Sequence, residues 1–323
     1  MDCALGFSRG VRILFMCSAL AAPILLACTH AGVSGASGDG ASSVPNNVSA
    51  GLKAAATVGP VELKLKADSA HVEKVAYHHR SRSTSFEDVE VRKQNEESLE
   101  FVSQAETLKN EADHFTQTIT IVKKDGQSNL HDFAMPELGE KLDITADSRG
   151  RILRAGDYPS NSIFYVPPIS LPDGPVSIGD TWAMQAQWLS LEEMVPYQLD
   201  MVSILKNVYA CGTHRCAEIE ISGEVTLQGP LVQMMAFKSL WKGFLMFDIE
   251  AGTVLWSRVD SEEQFMSGNV RRSVTSCLEA SLTEPAELKL ARSQAPCATL
   301  GNPGDIAPVP TGPAAGTGPG SGK

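Results

Sequence analysis

The chain has 323 residues, of which 43% are hydrophobic, 20% charged and 6% aromatic. These proportions exclude a polytopic membrane protein, a collagen-like fibre and a small disulfide knot, and leave room for one large domain or two small ones. With 27 Lys+Arg against 38 Asp+Glu the formal net charge is −11, which lacks the basic field that nucleic acid requires, so no nucleic acid partner is expected.

The chain begins with an export pattern. Arg9 and Arg12 supply a positive start, and Ile13 to Leu26 then runs without a charge. That stretch has the length of a signal-peptide apolar region and is short for a transmembrane span. It ends in Leu25-Leu26-Ala27-Cys28, which resembles the lipobox of bacterial lipoproteins, although Leu26 is bulkier than the residue that family carries there. The resemblance implies that residues 1–27 are a lipoprotein signal peptide and that Cys28 is acylated, with palmitate-type chains, as the first mature residue. About 0.8 kcal/mol per buried CH₂ makes two or three acyl chains a durable anchor where one is not. By the same analogy Thr29 stands where an Asp would retain the protein at the inner membrane, so the outer membrane, facing the periplasm, is favoured.

Residues 28–56 are rich in Gly, Ser, Ala and Asn and contain no aromatic residue. Such a segment cannot bury enough apolar surface to offset its ordering entropy, and is expected to be a flexible tether spanning about 30 Å. Residues 298–323, where prolines alternate with glycines, are expected to be a disordered tail.

Residues 57–297 form the expected folded domain, and here the hydrophobic period is two. Val61, Leu63 and Leu65 alternate with Glu62, Lys64 and Lys66. The pattern recurs at Phe115, Gln117, Ile119 and Ile121, at Tyr197, Leu199 and Met201, at Ala217, Ile219, Ile221 and Val225, and from Val270 through Arg272, Val274, Ser276, Leu278 and Ala280 to Leu282. Alternation of this kind marks strands with one face buried. Turn signals fall at Asp125-Gly126, Asp147 to Gly150, Asn207 to Gly212 and Glu250 to Gly252. The turn before Ile152-Leu153 and the one before Val254-Leu255 read as two hairpins of one meander. Glu90 to Asn110 fits a helix or a strand, and Trp188 to Val195 has the form of a capped helical turn. The fold class expected is mainly β: a large curved antiparallel sheet, meander-like and half-barrel-like, with a minor helix on its concave side.

Between the strands, Leu171-Pro172-Asp173-Gly174-Pro175-Val176-Ser177-Ile178-Gly179-Asp180-Thr181-Trp182 resembles a Pro-Val-x-x-Gly-Asp-x-Trp segment of an uncharacterised family of bacterial envelope lipoproteins. That resemblance implies a fold similar to the curved sheet of lipoprotein-localisation factors and of mycobacterial lipid-carrying lipoproteins.

Four of seven cysteines lie beyond the leader and the lipobox: Cys211, Cys216, Cys277 and Cys297. An even number in an exported domain reads as two disulfides. Cys211 and Cys216 flank a tight turn, and Cys277 lies on the face opposite Val274 and Leu278, where a chain segment returning with Cys297 could reach it. Reading Cys211, His214 and Cys216 as metal ligands lacks a fourth ligand, so no metal is expected.

Enzyme motifs are sparse. Ser203-Ile204-Leu205-Lys206 and Ser239-Leu240-Trp241-Lys242 match Ser-x-x-Lys, but residues three apart on a strand point to opposite faces. The same parity separates His78 from His79, with His79 on the side of Tyr77 and Val75. The carboxylate pairs Glu96-Glu97, Glu192-Glu193 and Glu262-Glu263 read as solvated surface. No cofactor motif is present, and the chain is expected not to be an enzyme.

The apolar run Leu231, Val232, Met234, Met235, Phe237 and Leu240 suits an adaptable binding surface or ordinary core. With Trp182 and Trp241, the residues Met234, Met235 and Phe237 are the candidate ligand-binding set. The expectation is a lipid-anchored, non-enzymatic envelope protein that binds a hydrophobic ligand on a curved sheet. The alternatives are a structural or docking module for an envelope protein or cell-wall partner and, behind it, a hydrolase of envelope polymer.

Overall fold

The computed structural model of the chain describes residues 53–54, 59–68, 72–87, 90–190, 194–233, 235–283 and 297. The leader, Cys28, most of the expected tether and the tail lie outside the described residues. Twelve strands follow in order: β1 (Lys53–Ala54), β2 (Val72–Glu87), β3 (Glu90–Asn110), β4 (His114–Asp125), β5 (Lys141–Asp147), β6 (Ile152–Ala155), β7 (Thr181–Leu189), β8 (Pro196–Cys211), β9 (His214–Leu227), β10 (Met235–Asp248), β11 (Thr253–Ser267) and β12 (Val270–Leu282). All their ladders are antiparallel and make one sheet, ordered β1-β8-β9-β10-β11-β12-β2-β3-β4-β5-β6, with β7 also paired to β8. The sheet does not close into a barrel. It consists of two sequential meanders, β2–β6 and β7–β12, joined where β12 pairs with β2.

Period-two patterning and short turns explain the ladders. At the β5–β6 turn, Asp147 Oδ1 accepts the amides of Arg149 and Arg151. Gly150 turns there at φ +88°, and a Cβ would meet the Ile169 carbonyl oxygen at 2.5 Å, so only glycine suits both the angle and the space.

The sheet is strongly curved. One apolar core includes Leu142 of β5 and Ala155 of β6 together with Met184, Leu199, Ile219, Trp241 and Val259 of β7 to β11, so both ends of the sheet contribute to the same interior. The concave side is occupied by the chain itself. Val61 and Leu63 of an N-terminal strap, and Ile163, Phe164, Val166, Ile169, Leu171 and Val176 of the β6–β7 connection, belong to that core. Beside it, Leu130 and Phe133 pack on Leu99, Phe101, Ile121 and Leu278.

Several expectations are corrected. No α-helix occurs among the described residues; the place of the minor helix is taken by 3-10 turns at Leu130–Phe133, Ile163–Tyr165 and Gly229–Gln233. Glu90–Asn110 is a strand throughout. Residues 61–66 are extended yet join no strand ladder; they make one isolated bridge, Val61 to Val176, and single backbone bonds to Ser148 and Gly252, so alternate burial, not pairing, produced their pattern. Asn207 to Cys211 continue β8 past a bulge at Leu205/Asn207, leaving Gly212 and Thr213 as the turn. Trp188 and Leu189 end β7, where Ser190 Oγ accepts the Val195 amide at 3.1 Å, while residues 191–193 lie outside the described set. The β5–β6 and β10–β11 hairpins fall in different meanders.

Candidate functional site: a buried polar strip on the concave face

Cross-strand register places the side chains of the concave face in rows. One row runs Ser203, Ile221, Gly243, Val259, Leu278, His79, Leu99 across β8 to β3 and is mostly apolar. The next runs Met201, Gly223, Trp241, Ser261, Ser276, Ser81, Glu97, and the one beyond it Leu199, Val225, Ser239, Glu263, Val274, Ser83, Asn95. Phe265 and Arg272 are paired in the following row. The middle of the concave face therefore carries a polar strip between two apolar clusters.

The strip is secluded. Glu263 is 2% exposed, and Ser239, Ser261 and Ser276 are also buried. Trp241 donates through Nε1 to Ser239 Oγ at 2.9 Å, and the hydroxyls of Ser261 and Ser276 are 2.7 Å apart. Glu263 lies opposite Val274, so Arg272 and Ser276 are its diagonal neighbours on β12. Burial lowers the Arg272 guanidinium from its usual value, and the carboxylates of Glu263 and Glu97 act against that shift. Charges in such a place persist only when compensated, because desolvating them unpaired costs several kcal/mol, roughly.

An aromatic wall stands at the strip's end. Trp188 stacks on Tyr197 with centroids 5.5 Å apart, and Phe237 meets Tyr197 edge-on at 5.4 Å. Phe237 is cross-strand from Phe265, itself cross-strand from Arg272.

The structure places the expected binding residues as follows. Trp182, Met235, Phe237 and Trp241 have the register of the concave face. Trp241 is core; Trp182 and Phe237 are partly buried against that core, and Trp182 Nε1 donates to the Ser170 carbonyl at 3.0 Å. Met235 is half-buried at the start of β10. Met234 lies outside the described residues. Leu240, grouped with the apolar run in the sequence, points to the opposite face and is exposed.

The disulfides are Cys211–Cys216 and Cys277–Cys297, with Cα separations of 5.9 and 5.5 Å. His214 meets Asp248, its Nδ1 being 2.8 Å from Oδ2, and that contact raises the imidazole pKa. Among the described residues no three His, Cys, Asp or Glu side chains converge on a metal-sized point. Both Ser-x-x-Lys matches lie in strands, and Lys206 pairs with Glu220 outside while Ser203 is buried inside. His78 and His79 diverge as expected, and burial pushes the His79 pKa down to about 4.

Glu263 overturns its sequence reading: it is interior, not solvated surface. The signal was present, since Val259, Ser261, Glu263 and Phe265 share one parity and put the carboxylate on the apolar side of the strand.

Together these features define an open, curved antiparallel sheet with a secluded polar strip and a self-occupied concave face. No family model matches the chain, and no curated protein matches it. Among solved structures, lipovitellin, in a study of its lipid–protein interactions, overlaps with TM-score 0.37 and 13% identity, covering 71% of this chain and 26% of its own. The chain thus spans about a quarter of lipovitellin. The attachment protein Ail of Yersinia pestis overlaps at TM-score 0.16 and 8% identity over 65% of this chain and 97% of Ail. An outer membrane channel from Pseudomonas putida overlaps at 0.17 and 8%, over 69% and 100%. None of these overlaps is extensive enough to bear on ancestry or function.

Proposed function

We propose that the chain is a lipid-anchored protein of the bacterial envelope, held at the outer membrane through Cys28, whose concave face accommodates a hydrophobic ligand at the polar strip, beside the strap and the β6–β7 connection, without transforming it. The observation that carries the ligand reading is the placement of Arg272 and Glu263 on an interior face flanked by apolar clusters and by Phe237 and Tyr197. An apolar surface with a few fixed polar groups orients an amphipathic molecule by its polar end. The strip sets the carboxylates of Glu263 and Glu97 near one guanidinium, and the hydroxyls of Ser239, Ser261 and Ser276 are already bonded to one another or to Trp241, which supports binding over catalysis.

Native mass spectrometry of the protein extracted from membranes tests this. Lipid adducts beyond the acyl anchor are expected, and Phe237→Ala should diminish them; a mass accounted for by protein and anchor alone would rule the ligand out. Cys28→Ser tests the anchor separately, since unchanged membrane partitioning would remove it while leaving the ligand question standing. A docking module is the second reading, favoured by the strap and the β6–β7 connection lying on the same concave core. It predicts a protein partner crosslinked in intact cells and no lipid adduct.

A further inference from the structure

Away from the concave face, the convex side of β3 to β6 bears a groove of about 830 Å³. That size falls within the roughly 300–1,000 Å³ of small-ligand sites. Register puts Glu106, Thr118 and Asp143 in one row, with Lys141 and Arg154 on the same face of the neighbouring rows. Where the groove meets the end of β6, its floor is Gly156, Leu142 and Tyr158. Gly156 has φ +49°, and a Cβ there would sit 3.3 Å from Leu142 and 3.9 Å from Tyr158, narrowing the floor. The Tyr158 ring is fixed by stacking on Phe164, centroids 3.7 Å apart, and by its hydroxyl 3.2 Å from His131 Nε2.

The charges of the groove discriminate among ligands. Two of its carboxylates are committed: Asp143 accepts from Thr118 Oγ1 at 2.6 Å, and Glu140 accepts the Glu137 amide at 2.9 Å and contacts His131 at 3.0 Å. Glu106, Asp157, Lys141 and Arg154 have no side-chain partner among the described residues and remain exposed. Counting the committed pair, the groove carries four carboxylates and two bases, a net charge of −2 that disfavours an anion, and its four uncommitted groups interleave both signs. An anion would face four carboxylates, and a cation would face Lys141 and Arg154. A neutral molecule dense in hydroxyls, each able to donate and accept, uses both signs at once.

We infer that this groove is a binding site for a neutral oligosaccharide. Sugar hydroxyls bond Glu106, Asp157, Lys141 and Arg154, and an apolar C–H face lies against Tyr158. The inference stands apart from the concave-face reading and from the lipid anchor.

Isothermal titration of the full chain with chitotetraose, maltotetraose and cellotetraose tests it, with oligogalacturonate as the anionic control. Saturable binding of at least one neutral tetramer is expected. Arg154→Ala and Asp157→Asn should each weaken that binding about tenfold, the loss of one charge-assisted hydrogen bond, with the thermal midpoint unchanged because both side chains are exposed. Absence of saturable heat with all three neutral tetramers, equal affinity in the variants, or preference for oligogalacturonate would each overturn the inference.

Discussion

Replacing Leu63 by Ala tests how the strap is held. Among the described residues, 59–68 have four backbone hydrogen bonds to other segments: two between Val61 and Val176, one from Leu65 to the Ser148 carbonyl and one from Lys66 to the Gly252 carbonyl. No ladder supports them, so the strap depends on the burial of Val61 and Leu63, the latter 1% exposed. Removing a fully buried leucine side chain costs about 2–5 kcal/mol, transfer and cavity terms together. At about 1.4 kcal/mol per factor of ten, a mid-range loss raises the open population of the strap by roughly two orders of magnitude. Hydrogen exchange at the amides of Leu65 and Lys66 reads that opening, because each is bonded only when the strap is seated. Amides in the β9–β10 ladder, such as Leu245, serve as the global reference. Unchanged protection at Leu65 and Lys66 in Leu63→Ala would refute the reasoning, as would strap and ladder amides accelerating by the same factor.

Two further perturbations follow from burial and crosslinking. His79 is held neutral against the Phe133 ring, centroids 5.0 Å apart, with its pKa pushed down by burial from 6.5 to about 4. The unfolded chain therefore takes the proton first: stability is intact above the unfolded pKa and falls as pH drops towards about 4, by up to roughly 3 kcal/mol. Urea unfolding at pH 7 and pH 4.5 should show a smaller difference in His79→Leu than in the unaltered chain; equal differences would exclude His79 as the source. The Cys277–Cys297 disulfide spans a sequence separation of 20 and the Cys211–Cys216 disulfide one of 5. By loop-closure entropy the longer is worth about 3 kcal/mol and the shorter less, so Cys297→Ser should lower the denaturation midpoint more than Cys216→Ser does.

Much of the sheet was legible because half-buried strands write their burial into alternate residues. Val270 to Leu282 and Tyr197 to Met201 fall in β12 and β8 with the parity their pattern implies. The same rule failed at Val61, Leu63 and Leu65, since an extended segment lying on a core alternates its burial whether or not it bonds sideways to a neighbour. Glu90–Asn110 was ambiguous because its first half is exposed on both faces and carries no period. The polar strip was harder to see. Ser239, Ser261 and Ser276 look like surface residues singly, and only the register that puts them in adjacent rows shows that they meet. The groove at Tyr158 left no local trace, because its side chains come from β3, β4, β5, β6 and the chain after β6.

The seam between the meanders joins residues far apart in the chain: Leu278 is paired with His79 and Cys277 with Arg80. The last of the twelve described strands thus occupies the middle of the sheet. Until it arrives, β11 and β2 both present bare backbone edges, so assembly cannot proceed from the N-terminus alone. A chain emerging N-terminus first would therefore hold two unjoined halves and complete the sheet only when β12 slots between them.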